Sequence, residues 1–310
     1  MAFLGLDVGG TNCRFEWSQA GSLAGGDAPG VQPAVHGVEA TVRGLAAVLE
    51  RAAAVTRPTA AVCALAGAGD PSLREQIGSG LLRAGIRFPV AIVGDVLAAA
   101  AAALATGTGV LVAAGTGSFA VARGRDGELV RIGGRGYLLG DQGSGYDLVR
   151  RAAAGVLLAI DDLGPATTLT ATLTAAFGAP SPQRLGAVLQ QLEPGAVAAH
   201  LPVVLAAAAD GDAVAHEVIE AGVEALAGLV VAVARRAELD LRGLSVTLGG
   251  GVLLQAPAIT ERLAQRLSAL GTAAPALLEA RAAARGAAWL AHGWHAGLQP
   301  QTGWVARVAL

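Results

Sequence analysis

Three glycine-rich segments hold the residues best suited to binding a phosphate chain. In the first, Asp7 comes shortly before Gly9 and Gly10, and Thr11 and Asn12 follow. Glycines let the backbone approach an anion closely, and a nearby carboxylate suits a triphosphate that is held by a metal ion. An ordinary hairpin turn is the alternative interpretation of this segment.

The second and third segments repeat the pattern of the first. Residues 115–118 offer unhindered N–H groups and two hydroxyls for the other side of a phosphate chain, and residues 249–251 lead into a predicted helix. A single turn of this kind is weak evidence, whereas three in order favour a nucleotide cleft between two matching domains. The candidate residues are Gly115, Thr116, Gly117, Ser118, Gly249, Gly250 and Gly251.

Lysine does not occur in the sequence, since all 22 basic residues are arginine. This excludes a Walker A phosphate loop, the lysine of protein kinases and any enzyme that forms a Schiff base, because each needs the ammonium group. Backbone amides and a metal ion must therefore do this work if the protein binds nucleotide phosphates.

Each glycine-rich segment follows an apolar run that is typical of a β-strand. After the first, the apolar residues Cys13, Phe15 and Trp17 alternate with charged ones and predict a hairpin, and a similar hairpin is predicted about a hundred residues later. Strands at 59–65, 90–93 and near 244 alternate with helices, which predicts the α/β class. The predicted helices span 38–54, 72–84, 96–105, 146–160, 168–177, 184–192, 201–208, 213–237, 258–270 and 282–295.

Composition narrows the possible partners to small molecules. A net charge of −2 without a basic stripe argues against nucleic acid. The longest apolar block, residues 96–105, is shorter than the roughly 20 residues that span a bilayer. The N-terminal residues lack a secretory signal, so we expect a cytoplasmic protein. Cys13 and Cys63 are predicted core residues, and His292 and His295 share a helical face without a third metal ligand.

Taken in order, the motifs DVGGTN, GTGS and LGGGV resemble the phosphate-1, phosphate-2 and adenosine motifs of the actin and sugar-kinase superfamily. Residues 133–151, GGRGYLLGDQGSGYDLVRR, are similar to a stretch that marks the BadF/BadG/BcrA/BcrD ATPase family, which contains the N-acetylglucosamine kinases. The resemblance covers the whole chain. It implies a two-lobed actin/hexokinase-like ATPase fold of duplicated ribonuclease H-like domains: an N-terminal lobe at 1–107, a C-terminal lobe at 108–295 with a hinge at 106–109, and a last helix at about 296–310 against the first lobe.

The resemblance also implies ATP-dependent phosphorylation of an amino sugar, foremost N-acetylglucosamine, with ATP and Mg²⁺ as cofactors. Asp95 matches the catalytic base of the family, Asp7 would hold Mg²⁺ through water, and Asp141 matches an aspartate that binds sugar hydroxyls. From the residues alone, a helix cap is the alternative for Asp95 and for Asp141. The other implied substrate-binding residues are Gln32, Thr116, Gly134, Arg135 and Gly136. Family members are often homodimers.

The sequence departs from the pattern of N-acetylglucosamine kinases at three positions. Arg135 stands where GGWG commonly has tryptophan, Gln142 replaces the acidic residue of GDEGS, and Phe119 replaces an asparagine after GTGS. These differences concern the choice of sugar, and glucosamine and N-acetylmuramic acid are alternative substrates. Two other functions remain open: a sugar sensor without catalysis, and an ATPase that activates a dehydratase through an iron–sulfur cluster.

Overall fold

Residues 1–9, 12–19, 22–104, 107–279, 281–297 and 305–308 are described by the structure, a computed structural model. The chain forms two compact units. The first comprises residues 1–107 together with 279–310, and the second comprises residues 108–278.

The first unit begins with strands and helices that alternate as the sequence predicts. The apolar run before Gly9 forms a strand that is buried at nearly every position, because it lies in the interior of a sheet. The elements are β1 (Ala2–Val8), β2 (Asn12–Gln19), β3 (Ser22–Pro29), α1 (Pro33–Thr56), β4 (Ala60–Leu65), α2 (Pro71–Arg83), β5 (Val90–Gly94) and α3 (Asp95–Leu104).

The second unit begins with a three-stranded meander and continues mainly with helices. A single 3₁₀ turn, Pro182–Arg184, precedes α6. The elements are β6 (Gly109–Ala114), β7 (Ser118–Arg123), β8 (Leu129–Gly133), α4 (Gly145–Ile160), α5 (Leu169–Ala176), α6 (Leu185–Leu189), α7 (Pro194–Ala198), α8 (Leu201–Ala209), α9 (Ala213–Arg236), β9 (Val246–Gly249), α10 (Gly251–Gln255), α11 (Pro257–Ala269) and β10 (Ala276–Leu277).

The chain then returns to the first unit with α12 (Ala282–His295) and β11 (Val305–Val308). This corrects the expected boundary at residue 295, since α12 packs on β1, β4 and α3 of the first unit. It also corrects the helix expected at about 296–310, because residues 305–308 form a strand antiparallel to β5.

The two sheets share one strand order, which confirms the α/β class and the duplicated plan. In the first sheet the order is β11-β5-β4-β1-β2-β3, and in the second it is β10-β9-β6-β7-β8. In each sheet an antiparallel three-stranded meander lies beside two further strands that are parallel to its first strand. The first sheet has a sixth strand, β11, which is antiparallel to β5. Because parallel strands end at the same edge, loops with related positions gather at one edge of each sheet.

Each unit has its own hydrophobic core. In the first, the sheet is covered by α1 and α2, whose buried residues include Leu45, Leu49 and Ile77. In the second, α4 and α9 cover the sheet, with Leu148 and Leu226 fully buried. Among the described residues, no helix combines the length and the apolar character that crossing a membrane requires.

Two glycines let α12 approach its neighbours at backbone distance. A β-carbon at Gly5 of β1 would lie 2.1 Å from the carbonyl oxygen of Ala284, and one at Gly286 would lie 2.1 Å from that of Ala98 in α3. Both contacts are with backbone atoms, which cannot rotate away. Glycine at these positions therefore allows β1, α12 and α3 to pack as closely as they do.

We expect Gly286→Ala to lower the free energy of unfolding by about 1–3 kcal/mol, because overpacking outweighs the gain in helix propensity. Gly228→Ala is the matched control, since Gly228 is also inside a helix but a β-carbon there meets nothing within 4 Å. It should raise stability by about 0.5–1 kcal/mol. Urea denaturation measures both, and equal effects of the two substitutions would contradict the packing argument.

Candidate active site

Asp7 and Asp95 lie at the same edge of the first sheet. The register places Asp7 of β1 beside Ala64 of β4, which lies beside Val93 of β5, and Asp95 begins α3 two residues later. Since β1, β4 and β5 are parallel, their carboxyl ends bring the two side chains close enough to interact electrostatically. The two carboxylates assigned by the family resemblance to separate roles thus lie at one edge of the sheet.

Burial and the negative charge of Asp95 raise the pKa of Asp7 from 3.8 to about 6. Arg14, its cross-strand neighbour on β2, lowers the pKa and offsets part of this effect. A carboxylate that is costly to ionise next to another carboxylate is typical of a functional site, because a cation or a proton relieves the repulsion.

Asp95 also interacts with its own helix. Its Oδ1 accepts a hydrogen bond of 3.0 Å from the N–H of Val96, at the first turn of α3. The capping alternative and the catalytic role are therefore compatible, as one oxygen can serve the backbone while the carboxylate faces the edge of the sheet.

The turn after β1 is closed by a hydrogen bond of 2.9 Å from the N–H of Gly9 to the carbonyl of Asn12. Gly10 and Thr11, which were predicted to bind ATP with them, lie outside the described residues. Gly9 and Asn12 are thus placed at the edge that also holds Asp7.

Gln32 lies near the loop that follows β4. A β-carbon at Gly67 would come within 3.2 Å of its Nε2. Residue 66 of this loop donates a hydrogen bond of 2.9 Å to the carbonyl of Val8, at the end of β1. Gln32 therefore lies at the same edge of the sheet as Asp7.

Arg74 is a residue that the sequence analysis missed. It is buried in α2, and its Nη1 donates to the carbonyls of Ala68 and Gly69 at 2.9 and 2.8 Å. Burial lowers the pKa of this guanidinium. These bonds fix the loop that carries Gly67. They could not be predicted from the sequence, because an arginine on a helix usually faces solvent.

In the second unit, two glycine turns lie side by side at the edge where β6 and β9 end. A β-carbon at Gly115 would be 3.7 Å from the backbone nitrogen of Gly251. Gly250 has a φ of 85°, and a β-carbon there would lie 2.4 Å from the carbonyl oxygen of Ala114. Only glycine meets both demands, so glycine at position 250 lets the turns at 115–117 and 249–251 lie together.

The two hydroxyls of the 115–118 segment differ in their environment. Thr116 is exposed and lies near Gly195 at the start of α7. Ser118 is buried, and its hydroxyl donates a 2.7 Å hydrogen bond to the carbonyl of Gln142. This corrects the expectation for the Ser118 hydroxyl, which binds the neighbouring loop instead of facing a phosphate.

Asp141 is buried against Gly117, where a β-carbon would lie 2.7 Å from its Oδ2. Its Oδ1 has no hydrogen-bond partner among the described residues. Burial raises the pKa of Asp141, and the backbone N–H groups of Gly136, Ser118 and Arg135 lower it. A buried acceptor without a partner is costly, and a ligand hydroxyl would satisfy it.

Asp141 does not cap the helix that follows it. Ser144 is the N-cap of α4, and its hydroxyl accepts a 3.2 Å hydrogen bond from the N–H of Asp147. Asp147 in turn accepts one of 3.0 Å from the N–H of Gly143. This pair of residues performs the capping that was the alternative role for Asp141.

Arg131 is a second residue that sequence analysis missed. Its Nη2 donates a 3.0 Å hydrogen bond to the carbonyl of Gly134, and its guanidinium lies 5.5 Å from the ring centroid of Phe119. It also lowers the pKa of Asp141. Arg131 thus stabilises the turn at 134–136 through its hydrogen bond to Gly134. Phe119, which is one of the departures from the family pattern, contacts the guanidinium of Arg131.

No group of three or more histidine, cysteine or acidic side chains that could bind a metal is found in the part of the chain that the structure describes. His292 and His295 pack against the ring of Phe3, with ring centroids 4.9 and 5.6 Å apart. Asp7 is a donor that suits Mg²⁺, because this ion commonly takes one or two carboxylates, keeps several waters and binds substrate phosphates.

Residues 4–291 match the BadF/BadG/BcrA/BcrD ATPase family, so the chain belongs to this family. A relative, the N-acetylmuramic acid/N-acetylglucosamine kinase of Clostridium acetobutylicum, is 26% identical over 196 residues, which cover 62% of this chain and 64% of that protein. The N-acetyl-D-glucosamine kinase of Dictyostelium discoideum is 44% identical over 64 residues, covering 21% of this chain and 20% of that protein. The chain thus matches less than two thirds of the length of either relative.

The fold is similar to that of a solved structure, a candidate N-acetylglucosamine kinase from Chromobacterium violaceum. The two share 24% identity with a TM-score of 0.72 over 93% of this chain and 98% of the other. This confirms the predicted fold, which is that of sugar kinases with the actin/hexokinase-like architecture.

Asp7→Asn should stabilise the protein at neutral pH. Because the folded state raises the pKa of Asp7 from 3.8 to about 6, it holds a proton that the unfolded chain has released, and stability falls as the pH rises through this window. The substitution should therefore raise the free energy of unfolding by roughly 1–3 kcal/mol above about pH 7, and the gain should vanish below about pH 4.

Urea denaturation across this pH range measures the effect. Glu50→Gln, which removes an exposed carboxylate from α1, controls for the loss of one negative charge. Asp7→Asn with the same stability as wild type at every pH would contradict the assignment of a strained carboxylate pair.

Ser118→Ala and Thr116→Ala should separate a structural hydroxyl from an exposed one. We expect Ser118→Ala to lower the free energy of unfolding by about 1–2 kcal/mol, because it removes a buried hydrogen bond. Thr116→Ala should leave stability nearly unchanged and raise the KM for ATP, since its hydroxyl is accessible to a phosphate. Thermal denaturation and ATP titrations measure the two effects, and the reverse assignment would show that the Ser118 hydroxyl serves the nucleotide.

Proposed function

We propose that the protein is an ATP-dependent kinase that transfers a phosphoryl group to a hydroxyl of an amino sugar, with N-acetylglucosamine as the leading substrate. The observation that carries the proposal is the placement of Asp95 beside Asp7 at the carboxyl edge of the first sheet. Membership of the ATPase family and the similarity to N-acetylglucosamine and N-acetylmuramic acid kinases support it.

In the proposed reaction, Asp95 accepts the proton of the sugar hydroxyl that attacks the γ-phosphate of ATP. A carboxylate in hydrogen-bond contact with this hydroxyl both orients it and takes its proton as the new bond forms. The first turn of α3 fixes the side chain through the N–H of Val96, so the base is held before the substrate arrives.

Asp7 is the proposed ligand of Mg²⁺, through water, and the bound ion would neutralise charge on the phosphates. A bound cation would also offset the cost of ionising Asp7, whose pKa is raised by burial and by Asp95. The glycine turns at 115–117 and 249–251 offer backbone N–H groups, which suit phosphate oxygens.

Asp141 is the proposed sugar-binding carboxylate. Its buried Oδ1 lacks a partner among the described residues, so a sugar hydroxyl that donates to it removes an energetic cost. Gln32, held near Gly67, is proposed as a second polar contact.

The cysteines argue against the dehydratase-activating ATPase. Cys13 and Cys63 are buried in β2 and β4, and burial raises the pKa of Cys13 to about 12 and that of Cys63 further. Iron–sulfur clusters are held by thiolates, which these environments disfavour. A sugar sensor without catalysis would not need a general base, so the presence of Asp95 favours a kinase over a sensor. A cytoplasmic location and a homodimer are parts of the proposal that rest on the family resemblance.

The first experiment measures ADP release with Mg-ATP and N-acetylglucosamine, glucosamine, N-acetylmuramic acid, N-acetylmannosamine or glucose. We expect sugar-dependent release by the wild type, and we expect Asp95→Asn to lower kcat by about 10²–10⁴ while sugar binding persists, because only the general base is lost.

Calorimetric sugar binding by the variant separates loss of chemistry from loss of the site, and Glu50→Gln controls for the removed charge. If the wild type releases no ADP with any of these sugars, the proposal that the protein is a kinase is refuted. Near-normal turnover by Asp95→Asn would refute its role as the base.

A further inference from the structure

Arg135 has an exposed side chain, and its backbone lies beside the loop that carries Asp141, because a β-carbon at Gly140 would come within 3.0 Å of the β-carbon of Arg135. The backbone N–H of Arg135 faces that carboxyl group and lowers its pKa, so the two residues are neighbours although six positions separate them. The side chain of Arg135 is exposed. An arginine side chain can therefore reach a molecule that contacts Asp141.

The backbone around Arg135 is fixed on both sides. Gly134 and Gly136 have φ values of 63° and 95°, which favour glycine. The N–H of Gly134 donates a hydrogen bond of 2.8 Å to the carbonyl of Ser118, and the N–H of Gly140 donates one of 2.8 Å to the carbonyl of Gly136. Arg131 binds the carbonyl of Gly134. The turn thus presents Arg135 from a defined position.

The guanidinium of Arg135 has no acidic partner among the described residues. Other arginines of the second unit do have one: Arg150 and Arg151 bind Asp147, and Arg266 binds Glu224. Arg135 therefore keeps its full capacity to donate hydrogen bonds. The planar fork of an arginine matches a carboxylate, with which it forms two parallel hydrogen bonds.

Asp141 supplies the second, independent observation that points to a ligand here. It is 8% exposed, and its Oδ1 has no partner within the described chain. A sugar hydroxyl donating to this oxygen would place the substituents of the sugar within reach of Arg135. Asp141 would then accept a hydrogen bond from a hydroxyl of the ligand, and Arg135 could bind a negatively charged group of the same ligand.

We propose that Arg135 determines specificity by binding a carboxylate of the substrate, so that the preferred substrate is an amino sugar that carries a carboxylate. The inference rests on the proposed function and refines its choice of sugar, because it places an amino sugar with a carboxylate ahead of N-acetylglucosamine. Tryptophan, which is common at this position in N-acetylglucosamine kinases, offers a neutral surface, whereas arginine attracts a negatively charged group. A phosphate group of ATP is the competing partner, and the experiment distinguishes it.

The test compares N-acetylmuramic acid, whose lactyl group bears the carboxylate, with its neutral methyl ester and with N-acetylglucosamine. We expect the wild type to favour the acid in kcat/KM. Arg135→Gln should lower kcat/KM for the acid by roughly 10- to 100-fold, through KM, because a charge-assisted hydrogen bond is lost. The values for the ester and for N-acetylglucosamine should change less than about twofold, and Arg135→Lys should fall between wild type and Arg135→Gln.

Arg125→Gln is the matched control, because it removes the same charge from an exposed position in the turn between β7 and β8. It should leave all three substrates unaffected. Thermal denaturation should show that both variants fold as the wild type does, as expected for exposed side chains.

Direct calorimetric binding of the three sugars separates this inference from the kinase proposal. Binding of the acid that depends on Arg135 without any turnover would support the inference and refute the kinase. Turnover without a preference for the acid, or binding of the acid that ignores Arg135→Gln, would refute the inference alone. An increased KM for ATP with unchanged sugar selectivity would assign Arg135 to the nucleotide and would also overturn the inference.

Discussion

The close packing of α12 against β1 and α3 is the contact on which the first unit depends. Gly5 and Gly286 remove the side chains that would keep the backbones apart, so one helix fixes both the strand that carries Asp7 and the helix that carries Asp95. Without this contact, mutual repulsion would favour separation of the two carboxylates. Arg285 adds a long-range link, because its Nε binds Glu16 of β2 at 3.2 Å. The geometry of the candidate catalytic pair therefore depends on residues nearly 200 positions further along the chain.

Both units accept an electrostatic cost at the edge of the sheet and offset it nearby. In the first, the cost is the raised pKa of Asp7, and Arg14 offsets part of it. In the second, the cost is the buried Oδ1 of Asp141, and the Ser144–Asp147 capping pair and Arg131 hold the surrounding turns. Groups kept at such a cost are common at functional sites, where a ligand supplies the missing interaction. The costs at the two edges are complementary in kind: one edge favours a cation and the other a hydrogen-bond donor.

The sequence predicted the elements with strong periodicity and missed those that depend on distant partners. The helix expected at 96–105 is Asp95–Leu104, and the one expected at 213–237 is Ala213–Arg236, because apolar periodicity determines both. Strand β3 was missed because Gly25 and Gly26 weaken its strand pattern. Both glycines are nevertheless needed, because a β-carbon at either position would clash with Phe15 on the paired strand β2. No local pattern states which sheet an alanine-rich helix covers, so α12 was assigned to the wrong unit. The candidate carboxylates could be named from motifs, whereas Arg74 and Arg131 could not, since their bonds go to backbone carbonyls that no motif specifies.

Two of the three departures from the pattern of N-acetylglucosamine kinases, Phe119 and Arg135, are physically connected. The guanidinium of Arg131 lies over the ring of Phe119 and binds the carbonyl of Gly134, and the next residue is Arg135. An asparagine at position 119 would offer no aromatic face to this guanidinium, so the turn that presents Arg135 would lose one of its supports. Two substitutions that look independent in the sequence thus form one chain of contacts that ends beside Asp141.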